Sequence, residues 1–124
     1  MKTIRSFRDL TVWQKSFDLV EKVYLLTSKL PQEEKFGIIS QIQRTAVSIP
    51  SNIAEGYARN NRKEYLQFVG IARGSGAELE TQLLLIQKIY KLDLAEELSL
   101  LTEIRKMLTV LNQSLRQYPI SATR

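Results

Sequence analysis

Apolar residues recur every three or four positions along almost the whole 124-residue chain. That is the period of the α-helix, and no stretch keeps the strict alternation of a half-buried strand. Only 5 Gly and 3 Pro interrupt the pattern, so the helices are long and the turns few. Thr11 and Gln14 have capping-box spacing at the head of a first helix. Along it Trp13, Phe17, Val20 and Tyr24 form one stripe, with Val12, Leu19, Val23 and Leu30 beside it. Pro31 disfavours helical geometry at Leu30 and closes this helix, which covers about residues 11–30. Glu33 and Glu34 supply first-turn negative charge to a second helix over about 32–59. Its stripe is Phe36, Ile39, Ile42, Ala46, Ile49, Ile53 and Tyr57.

Pro50 lies inside that stripe, removes a backbone donor and crowds the carbonyl of Ala46. The apolar phase continues through it, which favours a kinked but continuous helix over a break. Asn60 and Asn61 mark a turn, and Asn61 with Glu64 repeats the capping-box spacing. A third helix follows over about 62–91, with Tyr65, Phe68, Ala72, Leu79, Leu83, Ile86 and Tyr90 inward. Asp93 and Glu96 supply a cap for a fourth over about 94–117, whose stripe is Leu94, Leu98, Leu101, Ile104, Leu108, Leu111 and Leu115. Pro119 ends it. Helices of this length joined by short turns make one all-α domain over residues 1–124, an antiparallel up-down-up-down four-helix bundle.

Composition narrows the chemistry. The chain has no Cys and no His. It therefore lacks a disulfide, a thiolate nucleophile, an imidazole base and the common zinc ligands. Inward Glu-x-x-His pairs of di-metal bundles and the Arg-x-His motif of RNA-cleaving bundles are missing for the same reason. Glu78 and Glu80 are two apart and point to different helix faces. Gly70, Gly74 and Gly76 sit within a helical period and not after a strand, so they are no phosphate loop. These absences predict a non-enzyme with no metal site and no cofactor. No apolar run approaches a membrane span and no secretory h-region opens the chain, which predicts a cytoplasmic protein.

The net charge is +5. Residues 1–63 carry 11 Lys and Arg against 6 Asp and Glu, whereas residues 64–124 carry 7 of each. Such a surplus prefers anionic partners through a salt-sensitive field. Arg8, Lys15, Lys22 and Lys29 recur every seven residues and form a basic ridge beside the first helix's apolar stripe. Arg59, Arg62 and Lys63 cluster at the turn between helices two and three, and Lys2 and Arg5 lie in the leader. Lys15, Lys22, Arg59, Arg62 and Lys63 are the candidate nucleic-acid contacts, to phosphates without reading sequence. Ordinary surface ion pairing is the competing reading, since Asp18 lies one turn before Lys22. No aromatic-interleaved platform for single strands is evident.

A second pattern lies on helix two. Gln41, Arg44, Ser48, Asn52, Glu55 and Arg59 fall on one arc, opposite the Ile39–Ile53 stripe. They read either as a solvated face or as a hydrogen-bonded network against a neighbouring helix or subunit. Gly70 and Gly74, one turn apart, allow close approach of another backbone, inside the monomer or between subunits. Leu84, Leu85, Leu100, Met107 and Val110 fall off the main stripes and suggest a further surface to bury.

The sequence Leu10-Thr-Val-Trp-Gln-Lys15, the spacing Pro31-x-x-Glu34-x-x-Gly37, the run Ser48-Ile-Pro-Ser-Asn-Ile-Ala-Glu-Gly56 and the motif Ala72-Arg-Gly-Ser75-x-x-Glu78 resemble one bacterial family. It is the family of four-helix-bundle proteins encoded in intervening sequences of large-subunit (23S) ribosomal RNA genes. The resemblance covers about residues 6–118, and residues 48–56 are its most specific part. It implies assembly into a homopentamer, a ring with a central channel. It also implies kinship with the accessory variability determinant of diversity-generating retroelements, a basic pentamer that partners a reverse transcriptase. The expected function is thus a non-enzymatic, ring-shaped homo-oligomeric accessory protein that binds RNA or DNA backbones. A structural or protein-interaction scaffold with no nucleic-acid role is the alternative.

Overall fold

The computed structural model describes residues 3–117; Lys2 and Pro119 lie outside them. Four helices, α1 (Thr11–Thr27), α2 (Ile38–Ala58), α3 (Arg62–Tyr90) and α4 (Ala95–Gln117), account for nearly all of this span. No strand occurs among the described residues. Each helix packs on its neighbours in sequence and α1 also packs on α4, while the backbones of the diagonal pairs stay more than 8 Å apart between Cα atoms among the described residues. One core fills the centre, and its fully buried side chains include Leu19 and Val23 of α1, Ile49 and Ile53 of α2, Leu79 and Leu83 of α3, and Ile104 and Leu108 of α4. Burying each such side chain contributes about 1.5–3 kcal/mol.

Local chemistry sets the helix ends. The leader makes a short 3-10 turn at Phe7–Asp9, capped reciprocally by the Ser6 hydroxyl and the Asp9 carboxylate. The Thr11/Gln14 box does not form. Thr11 is already helical, Leu10 occupies the cap position without a side-chain bond, and Gln14 Nε2 instead donates to the Arg8 carbonyl at 2.8 Å. The first helix stops at Thr27, short of residue 30. Lys29 and Leu30 bond three residues back, to Leu26 and Thr27, which tightens the last turn before Pro31. The Thr27 and Ser28 hydroxyls also donate to the carbonyls of Tyr24 and Leu25.

The second helix begins six residues later than position 32. Gln32–Glu34 form a separate 3-10 turn, the chain turns again, and Gly37 stands at the N-cap. Phe36, expected at the head of the apolar stripe, is left outside the helix and 90% exposed. From Ile38 onward α2 is continuous through Pro50. The Asn61 side chain accepts from the Glu64 amide at 3.0 Å and opens α3. Lys91, at φ 54°, closes it in the left-handed region one residue earlier than position 91 would have placed the end. Before α4, Asp93 Oδ1 accepts from the Ala95 amide and Gln87 Oε1 from that of Leu94.

On α1 the structure buries the aliphatic stripe. Val12, Leu19, Val23 and Leu26 face the core, whereas Phe17 is 59% exposed and Tyr24 is exposed as well. Gly56 marks the tightest approach of α2 to α3, since a Cβ there would meet Phe68 Cβ at 2.8 Å and Tyr65 Cδ1 at 3.0 Å. Phe68 Cβ is set by the backbone of its helix and cannot swing away. Gly56→Ala is therefore expected to destabilise the fold by about 1–3 kcal/mol despite alanine's higher helix propensity. Chemical denaturation checks this, and an unchanged or raised midpoint contradicts it.

Candidate interaction surfaces

Lysines spaced by seven on α1 meet acids spaced by seven on α4. Lys15 Nζ lies 3.1 Å from Glu103 Oε2, and Lys22 hydrogen-bonds Glu96. Two of the four residues of the basic ridge are thus matched across the α1–α4 seam. Hydrogen bonding to Glu96 lifts the Lys22 ammonium above the ordinary lysine range, and the same bond holds the Glu96 carboxyl below the carboxylate range. Arg59 bridges Glu55 at 2.8 Å and Glu64 at 3.4 Å, with its guanidinium carbon 5.1 Å from the Phe68 ring centre. Arg62 is 7% exposed and belongs to the packed interior. Lys63 is exposed and pairs with no acid among the described residues. The five candidate cations do not converge on one surface: Lys15 and Lys22 line the α1–α4 seam, and the other three sit at the α2–α3 turn.

The polar run of α2 divides. Ser48 Oγ lies 2.8 Å from Ser75 Oγ of α3, and Asn52 Nδ2 donates to the Ser48 carbonyl at 2.7 Å and its hydroxyl at 3.0 Å. This part is a network against a neighbouring helix, half-buried on the flank and not opposite the core. Gln41 and Arg44 remain exposed, Arg44 donating to the Ser40 hydroxyl at 3.0 Å, and Glu55 is taken up by Arg59. Gly70 and Gly74 lie on the open face of α3, where an added Cβ meets nothing within 4 Å. A tight crossing inside the monomer does not explain them.

From the sequence Glu103 was passed over, Glu96 was taken only as a helix cap and Ser75 was quoted only within a motif. The signal for the two acids was present, since their spacing of seven equals that of Lys15 and Lys22. Ser75 carried no separate pattern. The outward aromatics of α1 form the other notable surface. Trp13 stacks on Phe17 at 5.0 Å and Phe7 meets Trp13 edge-on at 5.3 Å. Trp13 and Phe17 border a shallow apolar groove of about 310 Å³ shared with Val47, Pro50 and Ala54 of α2.

The family model described as 23S rRNA-intervening sequence protein matches residues 8–113. The chain belongs to that family. No curated protein matches it. A crystal structure at 1.70 Å of a protein of unknown function from the S23 ribosomal protein family of Bacteroides thetaiotaomicron is similar, with 26% identity and a TM-score of 0.77. The alignment covers 83% of this chain and 99% of that one. In this intervening-sequence family member no group of three or more acids is placed to hold a metal ion among the described residues. Nor is any described helix long and apolar enough to cross a membrane.

The Lys22–Glu96 bond has a defined pH window. The lowered carboxyl contributes stability above its unfolded pKa and loses it as pH falls through the folded value. The raised ammonium contributes below its unfolded pKa and loses it as pH rises through the folded one. Glu96→Gln is expected to lower the unfolding midpoint slightly at neutral pH, and the difference from the parent to vanish on acidification below the carboxylate range. Thermal unfolding at the two pH values checks this, and a pH-independent gap contradicts it.

Proposed function

We propose that this chain is a non-catalytic, self-associating scaffold, an up-down-up-down bundle whose copies join into a ring-shaped homo-oligomer. The helix directions are supported by the pairings along the seams. Lys15 meets Glu103 while the later Lys22 meets the earlier Glu96, and Ser48 meets Ser75 while the later Gly56 meets the earlier Phe68. The observation that carries self-association is the exposed Phe17 ring, stacked on a Trp13 that itself packs half-buried on the core, beside an apolar groove. Aromatic surface of this kind anchors interfaces when it is covered. Gly70 and Gly74 add support. Each costs about 1 kcal/mol in a helix relative to Ala, and close approach of a second copy supplies a reason that the single copy does not. Leu84, Leu85 and Ile89 continue an exposed apolar surface along the same helix. Five copies, as the family resemblance implies, is the stoichiometry proposed.

Backbone-phosphate binding through Lys15, Lys22, Arg59, Arg62 and Lys63 is the second reading. The net charge of +5 favours it, because association multiplies that charge on one particle. The ion pairs at Lys15, Lys22 and Arg59 count against it, since a phosphate has to displace an acid already in place. Gel shifts across a salt series separate the two readings: steep loss with salt supports phosphate binding, and no shift at low salt removes it.

Light scattering tests self-association. The parent is expected at a multiple of the chain mass, and Phe17→Glu at or near the monomer with its helical circular dichroism intact. A parent that is monomeric at tens of micromolar contradicts the scaffold. On a free helix face Gly74→Ala stabilises by about 0.5–1 kcal/mol. Within a close subunit contact the same change is expected to weaken assembly, so its effect on mass tells whether this face is covered.

A further inference from the structure

We propose that the cleft at the α1–α2 corner binds an unpaired nucleotide, with the base against the aromatic side chains of Tyr24 and Phe36 and its phosphate toward Lys35 and Arg44. This does not rest on the scaffold reading. The cleft has a volume of about 460 Å³ and lies between the end of α1, the 3-10 turn and the start of α2. Ligand pockets commonly hold about 300–1,000 Å³, so a single base with its sugar fits.

Three features point to this ligand. First, both aromatic rings bordering the cleft are exposed, and Phe36 is the most exposed large apolar side chain of the described residues. Neither ring is needed by the core, and a π-face left in water suits stacking of any base. Second, Lys35 lines the cleft and no acid does. Lys35 Nζ lies 5.6 Å from the Phe36 ring centre, and Arg44, outside the lining itself, donates to the hydroxyl of Ser40, which lines the cleft. Neither forms an ion pair among the described residues, unlike Lys15 and Lys22. Of the nearby acids, Glu34 is engaged by the Tyr90 hydroxyl of α3, and Glu33 does not line the cleft. Third, the lining offers unspent hydrogen-bonding groups. Gln43 donates to Thr27 Oγ1 at 3.1 Å, which leaves its carbonyl oxygen over, and the Gln32 amide makes no bond within the described fold. A base edge presents both donors and acceptors, which an amide can meet.

A second copy of the chain is a poorer fit. The groove beside Trp13 and Phe17 is lined almost wholly by carbon, whereas this cleft mixes hydroxyl, amide and cationic groups with its two rings. The ligand chemistry has two sources, a free mononucleotide or one residue of a single strand, and the experiment separates them.

The test uses the full chain at low salt with two probes, AMP and a fluorescein-labelled ten-nucleotide oligo(A) RNA. Anisotropy is expected to report binding of the oligonucleotide, weakened about five-fold or more in Phe36→Ala. Lys35→Ala is expected to reduce the salt slope by about one ion. Shifts of the Tyr24 and Phe36 ring signals on adding AMP assign a free nucleotide as sufficient, and shifts with the oligonucleotide alone assign a strand. Phe36 is exposed, so its truncation leaves the fold intact. Ring signals unmoved by either probe, an unchanged affinity in Phe36→Ala, or equal competition by double-stranded RNA overturns the proposal. A change in assembly mass in Phe36→Ala, with affinity per chain unchanged, makes Phe36 a subunit contact and overturns it too.

Discussion

The rotation of α1 about its own axis decides most of what the rest of the molecule presents. Two apolar stripes run along this helix, and only one can face the other three helices. The aliphatic one is chosen: Leu19, Val23 and Leu26 are buried, and Phe17 is not. At 100° per residue, that choice turns Lys15 and Lys22 to one flank of the core and Trp13, Phe17 and Val20 to the other. The first flank meets Glu96 and Glu103 of α4, and the second opens beside Val47 and Pro50 of α2. One packing decision thus accounts for both the neutralised ridge and the uncovered aromatic surface.

Packing density explains the choice. Branched aliphatic side chains interdigitate between closely spaced helices in low-energy rotamers, and Trp13 packs on the edge of that core with Phe17 outside it. Close spacing is enforced elsewhere too, most strongly where Gly56 of α2 meets Phe68 and Tyr65 of α3. Charge follows packing here. Lysines beside the α1–α4 seam find acids at the same spacing. A net positive chain is therefore not the same thing as a positive face, and the proposed nucleotide cleft lies where cations are left without acids.

Most of the architecture was legible in the sequence. The stripes of α3 and α4 were assigned correctly at Ala72, Leu79 and Leu83 and at Leu101, Ile104 and Leu108, and the continuity of α2 through Pro50 followed from unbroken apolar phase. The errors have physical causes. Periodicity cannot rank two adjacent stripes, so the α1 pattern left open which of the two is buried. Phe36 matched the phase of α2 but lies before the turn at Gly37, where phase has no meaning. Of the candidate residues, Ser48 and Asn52 were legible as one polar arc whose role, solvated face or network, the pattern left open. Lys15 and Lys22 were legible as a ridge, yet their acid partners lie about 75–90 residues away and needed the matching period on α4 to be noticed. Gly70 and Gly74 were recognised as unusual, while Gly56, which packs far more tightly, was quoted only as part of a motif.

Trp13 is the only tryptophan of the chain; it packs half-buried on the core and carries the exposed Phe17 ring on its outer side. Acrylamide quenching of its fluorescence, followed across a dilution series, reads the covering of that side directly. Protection at high protein concentration that is lost as copies separate is the predicted result. Quenching that is strong at every concentration while the protein remains associated would contradict it, because the aromatic side of α1 would then face water in the assembly.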